Sequence, residues 1–398
     1  MGQRLESLEQ FGIDVVLGRR RGFRASILRG ILHALSFIYE RIVQLRLYLY
    51  RKRLFRERTL GCLVISIGNL TVGGTGKTPI VEKFARALQT GGRRVAILSR
   101  GYKSVPRRPK RNWLDRLRKK MVDPPRIVSD GKALLLDSLT AGDEPYMLAH
   151  NLQDVIVLVD KDRVKSGLFA IDNWKVDTLL LDDGLQYLHL KHRLDIVLVD
   201  RQAPFGNEFL LPRGTLRESP RNLRRASYIF ITKSTGESNE ALIERIRRYN
   251  RTAEIIECAH KPLHLQNIHS GERLPLEHLR GKFIGSICAI AAPESFEDAL
   301  RKLGAEVNLA KRYIDHHYYT EAELTSFITR CVRRDLEMIV TTEKDAVRMP
   351  RLTDSDAKVP IYFLRVEIEI LSGQETWEHC VGRICQPQPM LSPERFFA

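Results

Sequence analysis

Residues 63–88 place the strongest constraint on the fold of this 398-residue chain. A short apolar run, Leu63-Val64-Ile65-Ser66-Ile67, leads into a glycine-rich loop, and apolar residues at helical spacing follow as far as Leu88. The loop Thr71-Val72-Gly73-Gly74-Thr75-Gly76-Lys77-Thr78 matches a Walker A sequence, with threonine in place of its first glycine. This order of strand, loop and helix predicts a fold of the P-loop NTPase kind.

The loop predicts a binding site for the phosphates of a nucleoside triphosphate. Its glycines allow backbone N–H groups to turn inward on phosphate oxygens, and the N-terminus of the following helix faces the same anion. We expect Lys77 to contact the β- and γ-phosphates and the Thr78 hydroxyl to bind Mg²⁺. The loop alone does not distinguish ATP from GTP.

Apolar runs before and after the loop predict a sheet. Six of them favour buried parallel strands, at residues 63–67, 95–98, 155–159, 178–181, 196–199 and 228–232. Three more, at residues 283–290, 338–341 and 361–364, alternate with helical patterns near 294–303 and 321–334. The prediction is an α/β fold, a mostly parallel sheet flanked by helices, with a P-loop domain at 61–265 and a smaller C-terminal α/β domain at 266–398.

The first 60 residues differ from the rest in charge and in pattern. The chain has a net charge of +17, and residues 19–58 alone carry 12 basic and 2 acidic side chains. Apolar residues recur at helical spacing from Ala25 to Tyr50, with arginines at both ends. This pattern predicts an amphipathic helix that lies at an anionic membrane surface; a helix that packs on the core is the alternative. Charged residues interrupt it too often for a spanning helix.

Acidic and histidine residues mark further candidate sites. Asp182 and Asp183 end a predicted strand, where the ligands of a parallel sheet bind, although a pair of helix N-caps would also explain them. Asp143 opens a predicted helix and could be its cap or a proton acceptor. His316 and His317 lie in a loop and could assist proton transfer or bind a metal, for which no nearby set of ligands is evident.

Together these residues resemble the tetraacyldisaccharide 4′-kinase family, the lipid A 4′-kinases of Gram-negative bacteria. The resemblance covers most of the chain, from the N-terminal helix to Thr341-Thr342-Glu343-Lys344-Asp345. Its motifs occur in family order: Gly68-Asn69, the loop of residues 71–78, Ser99-Arg100-Gly101-Tyr102, Gly142-Asp143-Glu144-Pro145, Asp182-Asp183-Gly184-Leu185-Gln186, Leu211-Pro212 with Arg217-Glu218, and Asp315-His316-His317. Tyr187 stands where family members commonly have histidine, and the basic stretch around 104–120 is longer than usual.

The resemblance implies a lipid kinase that uses ATP and Mg²⁺. Its substrate would be a lipid disaccharide 1-phosphate, phosphorylated on the 4′-hydroxyl in lipid A biosynthesis at the cytoplasmic face of the inner membrane. By position, Asp143 is the expected catalytic base, assisted by a histidine of the pair, with a slight preference for His317 over His316. Lys77 and Asp183 are expected to be catalytic as well. Thr78, Asp182 and Glu218 are the expected metal ligands, and Asn69, Arg100, Gln186 and Arg217 the expected substrate contacts.

Two other functions fit parts of the sequence less well. A membrane-associated regulatory P-loop NTPase, such as a GTPase, predicts an NKxD motif after a late strand, but Ile231-Thr232-Lys233-Ser234 lacks both its Asn and its Asp. A nucleic-acid-binding protein could use the basic residues 93–120, yet no RNA- or DNA-binding motif accompanies them. We therefore expect a lipid and a membrane surface as partners, and no nucleic acid.

Overall fold

The computed structural model describes residues 11–12, 14–16, 18–101, 123–350 and 358–386. The basic stretch 104–120 lies outside the described residues. Helix α1 spans Phe23–Arg51 and carries several exposed large apolar side chains, among them Ile31, Ile38 and Ile42. No helix in the described part of the chain is both long enough and apolar enough to cross a membrane.

The first half of the chain alternates strands and helices, as predicted. Its strands are β1 (Leu63–Asn69), β2 (Val95–Ser99), β3 (Arg126–Asp130), β4 (Ile156–Val159), β5 (Thr178–Asp182), β6 (Leu194–Asp200) and β7 (Tyr228–Thr232). Its helices are α2 (Lys77–Thr90), α3 (Ser138–Ala141), α4 (Asp143–Asn151), α5 (Arg163–Trp174) and α6 (Glu240–Arg247). Side chains of β1, β2 and β5 are almost wholly buried because helices cover both faces of the sheet.

The second half continues the same sheet. Its strands are β8 (Glu254–Asn267), β9 (Arg273–Pro275), β10 (Phe283–Cys288), β11 (Glu306–Arg312), β12 (Met338–Thr342) and β13 (Ile361–Ser372). Its helices are α7 (Pro293–Lys302), α8 (Glu321–Val332), α9 (Glu343–Ala346) and α10 (Gln374–Cys385). Short 3₁₀ turns lie at Pro220–Arg225 and Leu276–Leu279.

One sheet runs through both halves, in the order β11-β10-β12-β13-β8-β7-β6-β1-β5-β2-β4-β3, with β9 paired to β8. The strand pairs are parallel except β3 with β4, β8 with β13 and β8 with β9. The predicted mostly parallel sheet is confirmed. Sequence patterns missed β8, since its alternating burial includes charged residues and a proline, Pro262, beside a register shift in its pairing with β13.

The predicted boundary between residues 265 and 266 falls inside β8, the strand through which the sheet continues. Helix α10 also returns to the first half, where Trp377 packs edge-on against Phe84 of α2 with ring centroids 4.5 Å apart. The two halves therefore share a sheet and part of a core. The division into three domains stays a prediction.

Candidate active site

The glycine-rich loop joins β1 to α2 as the Walker pattern predicts. Gly73 and Gly76 have φ of 110° and 78°, values that side chains other than glycine rarely adopt. A side chain at Gly76 would also come within 3.1 Å of the His260 ring on β8. Thr232, at the end of β7, donates a hydrogen bond of 3.0 Å to the Thr75 carbonyl and so fixes the loop against the sheet. The exposed loop face adjoins a cavity of about 340 Å³.

Lys77 begins α2, and its side chain turns back toward the end of β1. Its Nζ lies 3.3 Å from Asn69 Oδ1 and 3.7 Å from Asp183 Oδ1. Asn69 is fully buried and donates to Thr71 Oγ1 at 3.2 Å, which links the strand end to the loop. Thr78 is the next residue of the first helical turn and is half-buried. The structure thus joins three separately predicted residues, Asn69, Lys77 and Asp183.

Asp182 ends β5, directly beside β1, where it pairs in register with Ile67. Its side chain is buried and accepts a hydrogen bond of 3.0 Å from Ser99 Oγ. Burial, reinforced by the neighbouring Asp183 charge, raises the pKa of Asp182 to about 6 despite the opposing charge of Lys77. No helix follows Asp183 within residues 183–190, so the alternative interpretation of this pair as helix N-caps is wrong.

Asp183 takes a left-handed backbone conformation with φ of 53°, and its carboxylate faces cations. Arg217 Nη1 donates to both of its oxygens, at 2.9 and 2.7 Å. Burial would raise the pKa of Asp183, but the charges of Lys77 and Arg217 outweigh burial and lower it. The two adjacent carboxylates therefore carry opposite shifts in pKa, because Asp183 receives direct hydrogen bonds from Arg217 whereas Asp182 receives one from the neutral Ser99 hydroxyl.

Some of the predicted substrate contacts belong to the cluster formed by Asn69, Lys77 and Asp183, and others lie outside it. Gln186 donates to the Asn69 carbonyl at 3.1 Å and accepts from Arg217 at 3.3 Å. Gln186 and Arg217 therefore belong to the cluster. Arg100 is exposed just after β2. Glu218 is buried and accepts hydrogen bonds from Arg225 and Asn222, at 2.7 and 2.8 Å. These contacts occupy one Glu218 oxygen with protein partners, and its role as a metal ligand stays a prediction.

A buried arginine that sequence reasoning missed lies beside the two aspartates. Arg163 begins α5, and burial lowers its pKa while the charges of Asp182 and Asp183 act in the opposite direction. Its Nε has no hydrogen-bond partner among the described residues. Tyr187 covers it, with the guanidinium carbon 5.0 Å from the ring centroid and the hydroxyl bonded to Asp162. The tyrosine that departs from the family pattern therefore holds the start of α5.

Asp143 is the first residue of α4, and the capping position belongs to Gly142. The interpretation of Asp143 as a helix cap is therefore wrong. The carboxylate is buried: Oδ2 lies 2.6 Å from Arg348 Nη2 and 3.1 Å from His316 Nδ1, and Oδ1 accepts from the Tyr318 hydroxyl at 3.2 Å. Burial would raise its pKa, but the hydrogen bonds from His316 and Arg348 outweigh burial and lower it to about 2.

His316, and not His317, contacts Asp143, so the slight preference for His317 is wrong. His317 Nε2 lies 3.1 Å from Glu323 Oε2, and its ring stacks on Tyr313 with centroids 4.4 Å apart. The reason is the backbone, because His316 adopts a left-handed conformation with φ of 69° that directs the two adjacent rings to different sides. The catalytic roles of both histidines stay predictions.

Comparison with known proteins identifies the family. Residues 28–385 match the family model described as tetraacyldisaccharide-1-P 4′-kinase. The chain belongs to this family. The tetraacyldisaccharide 4′-kinase of Syntrophus aciditrophicus is 38% identical over 88% of this chain and 91% of its own length. That of Anaeromyxobacter dehalogenans is 38% identical over 84% of this chain and 85% of its own.

A solved structure of the same family has the same fold. The LpxK crystal structure from Aquifex aeolicus, described as in complex with ATP, is 27% identical to this kinase with a TM-score of 0.68. The match covers 90% of this chain and 99% of that one. The predicted resemblance, the α/β fold and the use of ATP are thereby confirmed.

The residues of this kinase suit a magnesium ion held together with nucleotide phosphates. Within the described residues, no three His, Cys, Asp or Glu side chains converge to hold a metal alone. Mg²⁺ usually takes one or two protein ligands and fills its shell with water and phosphate oxygens. The buried Asp182 carboxylate, whose ionised form is disfavoured, fits that need because a cation would compensate its charge. Asp182 and Thr78 are therefore the residues that would hold the ion.

Proposed function

We propose that this kinase transfers the γ-phosphate of ATP to the 4′-hydroxyl of a tetraacyldisaccharide 1-phosphate, at the cytoplasmic face of the inner membrane. One observation carries the assignment beyond family membership: the charge of Glu144, next to Asp143, acts on the pKa of Asp182. The buried Asp143 cluster and the Lys77–Asp183 cluster therefore act on each other electrostatically, as expected for a base and a phosphate-binding loop that serve one reaction. The regulatory NTPase alternative is not favoured, because it gives Asp143 and His316 no task.

Positioning and charge account for the proposed reaction. Phosphoryl transfer leaves the protein little covalent chemistry, so the loop and Lys77 would hold the transferred phosphate while Mg²⁺ supplies neutralising charge when bound. Arg217 and Gln186, which face Asp183, are placed to orient the sugar or the phosphate. Arg163 offers an unpartnered N–H beside the same aspartates, among the residues described. Each of these groups would help to align the attacking hydroxyl oxygen with the phosphorus atom and the leaving oxygen.

Asp143 is the proposed acceptor of the hydroxyl proton. With a pKa of about 2, it is a carboxylate at neutral pH and always ready to accept. It is also a weak base, so the proton would move late, once the sugar oxygen has begun to bond to phosphorus. Tyr318, His316 and Arg348 hold both of its oxygens and so restrict the direction from which the hydroxyl can approach.

Helix α1 supports the proposed location at a membrane. Its outward side chains include Ile31, Ile38 and Ile42, each more than half exposed, and arginines precede and follow the helix. Its opposite side packs beside the site, where Tyr39 donates to the Arg217 carbonyl at 3.0 Å. An acyl chain leaves a bilayer at a cost of about 0.8 kcal/mol per CH₂ group, so an enzyme for this lipid works best at the bilayer surface.

Labelled ATP tests the proposal directly. The full chain is incubated with γ-labelled ATP, Mg²⁺ and the lipid disaccharide 1-phosphate in mixed micelles, and the lipid is separated and counted. We expect label in a bisphosphorylated lipid, and none with Lys77→Ala, which removes the cation from the loop. ATP hydrolysis without labelled lipid would favour the regulatory NTPase instead.

A further inference from the structure

Tyr187 departs from the family pattern, and its side chain reaches the first turn of α5, 24 residues earlier in the chain. Its hydroxyl accepts a hydrogen bond of 3.1 Å from the Arg163 backbone N–H and donates one of 3.1 Å to Asp162 Oδ1. The same Asp162 oxygen accepts from the N–H groups of Val164 and Lys165, at 3.0 and 3.1 Å. Because the first N–H groups of a helix have no partners within it, Tyr187 and Asp162 together cap α5.

The Tyr187 ring also lies against the side chain of Arg163. The guanidinium carbon is 5.0 Å from the ring centroid, within the range of a cation–π contact. In addition, Arg163 Nη1 donates to the Lys161 carbonyl at 3.2 Å. Tyr187 therefore contacts both the backbone and the charged end of one arginine, which restricts the directions that the guanidinium can take.

Arg163 lies close to the residues that are expected to bind phosphate. The charges of Asp182 and Asp183 act on it. Asp183 Oδ1 in turn lies 3.7 Å from Nζ of Lys77, in the phosphate-binding loop. Arg163 is only 5% exposed, and its Nε has no hydrogen-bond partner within the described residues. A buried N–H without a partner is destabilising, and a phosphate oxygen would satisfy it, since guanidinium groups bind phosphate through directed N–H groups.

We propose that Tyr187 is a positioning residue that directs the guanidinium of Arg163 toward an oxygen of the transferred phosphate. The hydroxyl fixes the backbone of Arg163, and the ring fixes its charged end. Tyr187 itself contacts neither ATP nor lipid in this proposal, which rests on the phosphate transfer proposed above. Because charge shifts among the phosphate oxygens during transfer, a misdirected guanidinium costs rate more than binding.

Steady-state kinetics of the full chain with ATP and the lipid test the consequence for catalysis. Tyr187→Leu removes both the hydroxyl and the ring, and it should lower kcat by about 10- to 100-fold with both KM values within about threefold. Tyr187→Phe keeps the ring and should lower kcat by about 3- to 10-fold. Tyr249→Leu, which changes a half-buried tyrosine packed against Phe205, is the control and should match the wild type. Thermal unfolding checks that each variant folds, and Tyr187→Phe carries the test if Tyr187→Leu does not fold.

A double-mutant cycle tests whether Tyr187 acts through Arg163. Arg163→Met should lower kcat at least as far as Tyr187→Leu does, and adding Tyr187→Leu to Arg163→Met should cause little further loss. If the two losses multiply in the double variant, Tyr187 acts independently of Arg163 and the proposal is overturned. An unchanged kcat in Tyr187→Phe, or a raised KM for the lipid with unchanged kcat in Tyr187→Leu, would overturn it as well.

Binding of a phosphate mimic separates this proposal from the proposed function. Aluminium fluoride with ADP and Mg²⁺ stands in for the phosphate in transfer, and its binding, measured by titration calorimetry, needs no lipid. Tyr187→Leu should weaken binding of this complex by about tenfold or more and leave binding of ADP with Mg²⁺ within about twofold. If this difference holds while the wild type labels no lipid, the proposed lipid substrate is wrong and the role of Tyr187 stands. Equal affinity of the wild type and both Tyr187 variants for the complex would refute that role.

Discussion

Asp143 and Asp182 carry opposite shifts in pKa because their neighbours differ. Asp143, like Asp182, is buried, but it receives hydrogen bonds from Arg348 and His316, and its pKa falls to about 2. Its ionisation therefore stabilises the fold above about pH 4, and this contribution is lost as the pH falls toward 2. Asp182 has Lys77 nearby but also Asp183, and its pKa rises to about 6. The folded state thus binds a proton at Asp182 more tightly than the unfolded chain does.

Asp143→Asn tests the role of the first carboxylate. The amide keeps the size of the side chain but accepts no proton, so we expect kcat to fall on the order of 10²- to 10⁴-fold. The KM for ATP should stay within about twofold, because Asp143 lies outside the phosphate loop. Steady-state kinetics with varied ATP and lipid measure both, with Asp298→Asn, an exposed carboxylate of α7, as control. A raised KM for ATP with normal kcat would show a nucleotide contact instead.

Asp182→Asn should stabilise the protein while it impairs activity. Ionised Asp182 costs folding free energy above pH 6, and asparagine removes that cost. The free energy of unfolding at pH 8, without nucleotide or Mg²⁺, should rise by about 1–3 kcal/mol, and the gain should shrink as the pH falls toward 4. Urea denaturation at several pH values measures it. The neighbouring Asp183→Asn is the matched control and should lose stability at pH 8, since the pKa of Asp183 is lowered. A loss of stability in Asp182→Asn would contradict the argument.

At the scale of elements, helix α1 combines a buried attachment with an exposed apolar surface. Ser36 and Tyr39 donate to the carbonyls of Leu210 and Arg217, which fixes one side of the helix beside the site. Ile38 and Ile42 lie on the other side, 54% and 60% exposed. Substitutions on the exposed side can therefore change membrane binding without disturbing the contacts of the fold.

Ile38→Glu with Ile42→Glu should weaken binding to anionic vesicles by at least about tenfold, since it removes two apolar side chains and adds negative charge near negative lipids. Co-sedimentation with vesicles of anionic lipid measures the effect, and thermal unfolding checks that the fold is retained. Leu168→Glu, which changes a leucine of α5 that is 46% exposed, is the control and should bind like the wild type. Unchanged binding by the double variant would assign the membrane contact to another part of the chain.

The elements that could be predicted are those whose sequence pattern is formed by residues close together in the chain. The loop of residues 71–78 and its flanking β1 and α2 follow from spacing alone, as do most parallel strands. Strand β8 gave no such signal, because buried, half-buried and exposed residues follow one another irregularly along its 14 positions. The choice between His316 and His317 depends on one backbone angle, which spacing does not encode. Arg163 and Arg348 were missed because each acts on carboxylates distant from it in sequence.

Across the whole molecule, a buried network joins the nucleotide helix to the second half of the sheet. Arg365 of β13 contacts Glu82 of α2 and donates to Glu343 of α9 at 2.7 Å. Asn151, at the end of α4, donates to the same Glu343 at 2.6 Å. The Arg365 guanidinium therefore joins the helix that begins with Lys77 to the helix that carries Glu343, and the helix that begins with Asp143 joins this network through Glu343. The network fixes the distance between the phosphate loop and the proposed base.

Arg365→Met removes the guanidinium from Glu343 and leaves Glu82 paired with Arg86 alone, and removal of one partner of a buried ion pair costs about 3–5 kcal/mol. We expect that loss in urea denaturation, together with a fall in kcat, because the phosphate loop and Asp143 are no longer held to each other. The double variant Glu343→Gln with Arg365→Met should recover part of the stability, since it removes the carboxylate that has lost its guanidinium, but it should not recover kcat. Recovery of both would mean that the network only stabilises the fold, and full stability of Arg365→Met would mean that Glu82 and Glu343 tolerate its absence.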